Sequence, residues 1–322
     1  MSKRIHPKPV SLAEIFIKFS SDDQCLEYIQ NMRWPDGVVR CTVCGNDKIV
    51  KVERKATSKN RRKWFYLCQE KTCHNQFSPT SGTLFADSHL PLLTWFHAIG
   101  LMLNAKKGIS AKQLQRDLGI GGYKTAWYLN HRIREAMGNG DIPKLGGIVE
   151  IDETYVGGKI SGKGIAYAKK QKQVVMGAIQ RGGELRLEHV TGATVGNFRE
   201  FIQKHVSEDV ERVMTDQHPA YPAALASYPA SHETVNHIKH EYVRGDVTTN
   251  AIESVFSLFK RGVIGQYHKL SAKHLQRYLT EFEYRFNRRN DADVFIETVA
   301  RLCGFKPLRF AKLTSDLEKV PF

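Results

Sequence analysis

The chain has 322 residues, enough for two or three domains at about 100–200 residues each. With 41% hydrophobic residues a packed core can form, and wholesale disorder is excluded. A net charge of +15, from 48 Lys and Arg against 33 Asp and Glu, points to a polyanionic partner, most simply nucleic acid, with a membrane surface as the other option. No run of about 18 apolar residues is present, so no segment is expected to span a bilayer. The first residues, Met1-Ser2-Lys3-Arg4-Ile5-His6-Pro7-Lys8, are charged and lack an apolar core, so no signal peptide is read. A reducing, cytoplasmic setting is therefore expected for the six cysteines.

Residues 1–36 form an N-terminal helical segment. Its helix runs from Asp22 to Met32, with Cys25, Leu26 and Ile29 at helical spacing, and Trp34-Pro35-Asp36-Gly37 ends it. Residues 37–80 are β-like and carry Cys41-x2-Cys44 and Cys68-x4-Cys73. Four thiolates so spaced can close a tetrahedral Zn(II) site, which makes this a zinc ribbon. Four unligated buried thiols are the plain alternative, and His74 could stand in for Cys73. A basic stretch (Lys55, Lys59, Arg61, Arg62, Lys63) leads into Trp64 and Tyr66, a hairpin able to touch DNA or a partner.

Residues 81–140 read as helices. Leu90 to Leu103 is largely apolar, Ser110 to Gly119 is a short amphipathic helix, Gly121-Gly122-Tyr123 is a turn, and Lys124 to Met137 is a basic helix. That order is the minimal helix-turn-helix pattern, with Trp127 and Ile133 as core and Lys124, Arg132 and Arg134 facing DNA. An ordinary αα-hairpin with a solvated basic face has the same pattern. Gly138 to Pro143 is a linker.

Residues 146–290 alternate strand and helix. Strands are predicted at 147–156, 173–181, 185–190 and 212–216, with a weaker one at 233–238; helices are predicted at 195–206, 250–261 and 271–288. The last helix has Leu275, Tyr278, Leu279, Phe282 and Phe286 on one stripe. The order implies an α/β domain whose mixed sheet has an antiparallel portion and flanking helices. The Gly- and Lys-rich stretch 157–170 reads as a loop and 291–322 as a C-terminal tail.

Three acids stand out in that domain. Asp152 follows Ile148-Val149-Glu150-Ile151, Asp216 follows Val213-Met214-Thr215, and Glu253 lies in the first turn of a helix. Two carboxylates on strands and one on a helix can converge on two divalent ions about 3.5–4 Å apart. Each has a simpler explanation too. Asp152 suits a strand edge facing water, and Asp216 before Gln217-His218-Pro219 suits a turn. Glu253 with Asn250 fits a capping box. Lys260 lies two turns from Glu253 on the same helical face and continues into Arg261, which suits a grip on phosphate. His237-x2-His240 is a weaker candidate pair, since odd spacing on a strand splits the two rings between faces.

These residues resemble the insertion-sequence transposases of the DDE type that carry an N-terminal zinc ribbon. The resemblance rests on Arg33-Trp34-Pro35-Asp36-Gly37 before the first cysteine pair, and on Val149 to Lys159 with its Glu150-Ile151-Asp152-Glu153-Thr154-Tyr155 core. It rests also on Val213 to Asp216, on Thr249 to Ser254 running to Phe259-Lys260-Arg261-Gly262, and on His274 to Arg289. The resemblance implies a ribonuclease H-like catalytic domain at 146–290 that binds two Mg(II) or Mn(II) ions through Asp152, Asp216 and Glu253. Related groups place asparagine third, so Asn250 competes with Glu253 for that role. It implies cleavage at transposon ends and transfer of the 3′-hydroxyl into target DNA. Lys260 and Arg261 would hold DNA, and the ribbon and helix-turn-helix would read terminal inverted repeats. A homodimer or larger synaptic complex in a prokaryotic, nucleoid-associated setting follows by analogy. The rivals are a non-enzymatic DNA-binding regulator derived from such a transposase, and a structure-specific nuclease without strand transfer.

Overall fold

The computed structural model describes residues 11–53, 64–138, 140, 142–157, 172–236 and 243–315. The basic residues Lys55 to Lys63, the loop beyond Gly157, and His237 and His240 lie outside them. The chain divides into two compact units. The first takes 1–104, 111–137 and 291–322, and the second takes 105–110 and 138–290.

In the first unit, α1 (Leu12–Lys18) and α2 (Asp22–Arg33) precede a three-stranded antiparallel sheet, β1 (Ile49–Glu53), β2 (Trp64–Cys68) and β3 (Gln76–Phe77), in that order. Ser21 caps α2 in a capping box with Gln24. Trp34, Tyr66 and Phe77 pack edge to face or tilted beneath the small sheet, and the Tyr66 hydroxyl donates to Gln30 Oε1 at 2.7 Å, tying sheet to helix. Then follow α3 (Leu92–Asn104), α4 (Ala111–Asp117) and α5 (Tyr123–Met137). The stretch 291–322, expected to be a tail, instead holds α10 (Val294–Gly304) and α11 (Phe310–Thr314). The α10 helix packs on α2, α3 and α5, and buries Val294, Phe295, Val299 and Leu302.

Burial corrects one expectation. Arg132 and Arg134 are each only 2% exposed, so neither offers its guanidinium to a DNA groove. Neighbours cover the C-terminal half of α5, while its first turn, Tyr123, Lys124 and Thr125, stays exposed. No helix among the described residues is long and apolar enough to cross a membrane.

The second unit is built on a five-stranded mixed sheet of order β6-β5-β4-β7-β8, with β4 (Ile148–Val156), β5 (Gln173–Gln180), β6 (Leu185–Val190), β7 (Arg212–Asp216) and β8 (Ser231–Val235). Strands β4, β5 and β6 form an antiparallel meander, and β7 and β8 run parallel to β4. The α6 helix (Val195–His205) makes the crossover to β7, followed by α7 (Ala220–Leu225). Together α6 and α7 cover one face through Phe198, Phe201, Ile202 and Tyr221, packed on Val149, Ile151, Met176 and Val213. The other face takes α8 (Asn250–Gly262) and α9 (Ala272–Asn287), which pack on Val175, Ile179, Leu185 and Leu187. This is a mixed sheet with flanking helices, as the resemblance implied.

Two details fix α8 and α9 on the sheet. Gly177 pairs with Asp152 across β4 and β5. A Cβ there would lie 2.7 Å from Ile252 Cδ1 and 2.8 Å from Phe256 Cζ, so α8 can rest on the sheet only because the position has no side chain. Gly177→Ala is expected to lower stability by about 1–3 kcal/mol, the cost of overpacking a core, as a shifted urea midpoint at constant slope. An unshifted midpoint would show that α8 does not rest on this position.

On the edge strand β6, side chains of α9 stand in for a missing neighbour. The amides of Leu185, Leu187 and His189 donate to Asn287 Oδ1, Glu283 Oε2 and Gln276 Oε1, each at 2.8 Å. The exposed edge is thereby satisfied and closed to another strand.

Candidate active site and zinc ribbon

The parallel pairing of β4 with β7 runs from Ile148↔Arg212 to Glu150↔Met214 and stops there. Asp152 and Asp216 each lie two residues beyond the last pair, at the carboxyl ends of neighbouring parallel strands where the chain order reverses. Open α/β sheets bind ligands in such a crevice. Ligand atoms of Asp152, Glu153 and Asp216 all fall within 4.8 Å of one another. Glu153 has no role in the sequence pattern. Its only signal there is its place directly behind Asp152, and strand alternation alone would send it to the opposite face.

Each carboxylate is held. Asp152 Oδ1 accepts from the Glu153 amide at 2.8 Å, and Asp216 Oδ1 from the His218 amide at 2.9 Å, the turn geometry expected of a strand-end aspartate. Glu153 Oε2 accepts from the Tyr221 hydroxyl at 3.0 Å, and its Oε1 lies 4.0 Å from His218 Nε2. Burial pushes the Asp152 carboxyl up to about 8, and the charges of Glu153, Asp216 and Glu253 push the same way. Burial and then Asp216 also raise Glu153, partly opposed by His218 and Tyr221. Carboxylates so crowded repel one another, and divalent cations would relieve both the repulsion and the desolvation. The donor set therefore fits hard, oxygen-seeking ions.

Glu253 stands apart from that cluster. It lies in the first turn of α8, and its Oε1 accepts from the Thr249 hydroxyl at 2.7 Å. The capping box with Asn250 does not form: Thr249 is the N-cap, and Asn250 is already the first helical residue. What caps the helix comes from the sheet. Glu150, 1% exposed on β4, accepts at Oε2 from the amides of Ala251 (2.9 Å) and Ile252 (3.3 Å). Its Oε1 meets Arg181 Nε at 3.2 Å, and Arg181 also donates to the Asp246 carbonyl at 2.6 Å. Glu150 thus ties the strand that bears Asp152 to the helix that bears Glu253. Lys260 is exposed on α8; desolvation holds its ammonium below the usual lysine range, with Asp152 opposing and Lys172 adding to the shift. Arg261 is exposed beside it.

In the ribbon the four predicted cysteines meet. Ligand atoms of Cys41, Cys44, Cys68 and Cys73 lie within 4.8 Å of one another, with sulfur separations of 3.7 Å (Cys41 to Cys73) and 3.6 Å (Cys44 to Cys68). A tetrahedron of zinc–sulfur bonds of about 2.3 Å has edges of roughly 3.8 Å, so the cage fits that ion. Gly45, at φ 75°, and His74, at φ 45°, supply the left-handed turns of the two knuckles. His74 is therefore a turn residue here and Cys73 the ligand-bearing position. Burial works against ionising Cys41, but hydrogen bonds from Cys44, Val43 and Asn75 outweigh it and bring the thiol down to about 6, while Cys68 and Cys73 are raised, so the crowded sulfurs ionise together only with a cation among them.

Two stretches of the chain match known family models. Residues 20–76 match the model of the transposase zinc-ribbon domain, and residues 144–287 match that of the ISXO2-like transposase domain. An uncharacterized protein in transposable element ISH50 of Halobacterium salinarum is 28% identical over 282 residues, covering 83% of this chain and 91% of that protein. Two solved structures are distantly similar at 10% identity. The Mos1 strand transfer complex covers 65% of this chain and 75% of its own, with a TM-score of 0.29. A pre-cleavage Mos1 transpososome covers 66% and 78%, with a TM-score of 0.27. By these matches residues 20–76 are similar to a transposase zinc-ribbon domain and residues 144–287 to an ISXO2-like transposase domain.

Proposed function

We propose that this chain is a DNA transposase that cuts at the ends of a mobile element and joins the freed 3′-hydroxyls to target DNA. The observation that carries the reading is the meeting of Asp152, Glu153 and Asp216 at the carboxyl ends of β4 and β7 within a transposase-type domain. Asp152, Asp216 and Glu253 would hold two Mg(II) or Mn(II) ions, with Glu153 a further oxygen donor. Such ions, when bound, stabilise charge on the attacking and leaving oxygens of an in-line phosphoryl transfer. The protein supplies position. Glu150 fixes Glu253 relative to Asp152, Tyr221 and His218 orient Glu153, and Lys260 offers a cation beside Asp152 for the phosphate. Arg261, and Lys124 on the exposed first turn of α5, would bind the DNA backbone in a salt-sensitive way. The ribbon would hold one structural Zn(II), and two DNA ends would be brought together by a dimer or larger assembly.

The test is incubation of the purified full chain with duplexes carrying the element's terminal inverted repeats, with Mg(II) or Mn(II). Cleavage at the end followed by a joined product is expected. Tight binding without cutting under either ion would favour the regulator, and cutting without joining the nuclease. For the ribbon, Cys68→Ser is expected to lower bound zinc from about one per chain to near zero and to collapse amide dispersion in β1, β2 and β3. A variant that keeps its zinc would remove Cys68 from the ligand set.

A further inference from the structure

The helical part of the first unit contains a cavity of about 360 Å³ lined by Asp87, Trp95, Lys124, Tyr128, Arg132 and Phe310, among others. That is in the range of pockets that hold a small organic ligand, roughly 300–1,000 Å³. Its walls are of two kinds. Trp95, Tyr128 and Phe310 provide aromatic surface, and Arg132 and Lys124 provide positive charge. The Arg132 guanidinium lies 4.8 Å from the Trp95 ring centre and 5.1 Å from that of Tyr128. Lys124 Nζ sits 4.3 Å over the Phe310 ring.

Arg132 is the informative residue. It is 2% exposed, and one terminal nitrogen donates to the Ala86 carbonyl. Its Nε has no hydrogen-bond partner among the described residues. Arg132 is a buried cation among the residues that line the cavity, and an anion held there would offset the cost of its burial through charge. The Asp87 carboxylate, on an exposed residue held at φ 55°, contributes a favourable charge at a distance but no hydrogen bond to Arg132. The cavity thus asks for a flat apolar group joined to an anion.

We infer that this cavity receives one unstacked nucleotide of a DNA strand, its base against Trp95, Tyr128 and Phe310 and its phosphate toward Lys124 and Arg132. Stacking on aromatic side chains is how proteins hold single bases, and taking one out of a duplex is least costly at an end or a distorted step. Only the choice of DNA as the source of the nucleotide rests on the proposed function.

The test is calorimetric titration of the full chain with dAMP, dTMP, deoxyribose 5-phosphate and inorganic phosphate, in the absence of divalent ions. No cleavage is involved, so the outcome is independent of whether the chain is a transposase. Both nucleotides are expected to bind, and the two base-free phosphates about tenfold more weakly or not at all. Phe310→Ala and Lys124→Ala, at partly exposed positions, should each weaken nucleotide binding by about tenfold, whereas Arg132→Ala risks the fold. A duplex with 2-aminopurine near its end should brighten on binding wild-type protein and less so with Phe310→Ala. Absence of nucleotide binding, equal binding of inorganic phosphate, or binding and brightening unchanged in both variants would each overturn the inference.

Discussion

Asp152→Asn is expected to abolish metal-dependent DNA cleavage, by on the order of a thousandfold or more, while making the metal-free protein more stable at pH 8. Both effects have one cause. The carboxyl is buried and surrounded by Glu153, Asp216 and Glu253, which lifts its pKa from 3.8 to about 8. Between those values the folded protein holds a proton that the unfolded chain has released. Stability from this group is therefore fully present below about pH 4 and declines as pH rises toward 8. Each tenfold change in proton affinity is worth about 1.4 kcal/mol, so the loss is on the order of a few kcal/mol. Asparagine carries no charge to bury, so without added Mg(II) or Mn(II) and with the zinc left in place its melting temperature should change less over this range and exceed that of the wild type at pH 8. Adding Mg(II) or Mn(II) should stabilise the wild type and leave the variant unmoved. A wild type equally stable at pH 5 and pH 8, without added Mg(II) or Mn(II) and with the zinc left in place, would show that Asp152 is not held protonated in the folded state.

The legible part of this molecule was its pattern of apolar residues. Val149 and Ile151, alternating with Glu150 and Asp152, mark a strand with one face in a core, and β4 lies within one residue of its predicted start. The four cysteines announced their cage because metal-ligand spacing is local in sequence. Polar residues were read less well, because what they do depends on what the fold brings opposite them. Arg132 and Arg134 looked like a face turned to DNA, since nothing in α5 says that the Ala86 carbonyl and the Trp95 ring, from about 40 residues earlier in the chain, take up Arg132. Gln276, Glu283 and Asn287 lie off the apolar stripe read for that helix, and nothing local to them says that they close the edge of β6. Glu253 was hard to separate from a helix cap, because Asn250-x-x-Glu253 is a capping pattern; the cap is supplied by Glu150, a hundred residues upstream.

Glu150→Ala should be the most damaging change outside the metal-facing acids. The side chain does two things at once: Oε2 caps the Ala251 and Ile252 amides, and Oε1 pairs with Arg181. Alanine leaves two helix-terminal N–H groups and the Arg181 Nε–H without their acceptor, while Arg181 keeps the Asp246 carbonyl. Loss of a buried acid partner costs about 3–5 kcal/mol, reduced here because the Arg181 side chain keeps 27% exposure, so about 2–4 kcal/mol is expected by urea unfolding. Glu150→Gln keeps the shape and one acceptor oxygen and should cost about half as much. Stability alone does not identify the role, because any buried residue can be costly to remove. The distinguishing measurement is the divalent-ion concentration for half-maximal cleavage, in variants kept folded at low temperature. If Glu150 holds α8 in register with β4, losing it lets Glu253 drift from Asp152, and that concentration should rise by about 10- to 100-fold. Arg181→Met, which removes the pair but leaves the cap, should change it far less, and the double variant should show coupling between the two sites. Unchanged ion dependence in Glu150→Ala, at whatever stability, would leave Glu150 as a packing residue with no part in placing Glu253.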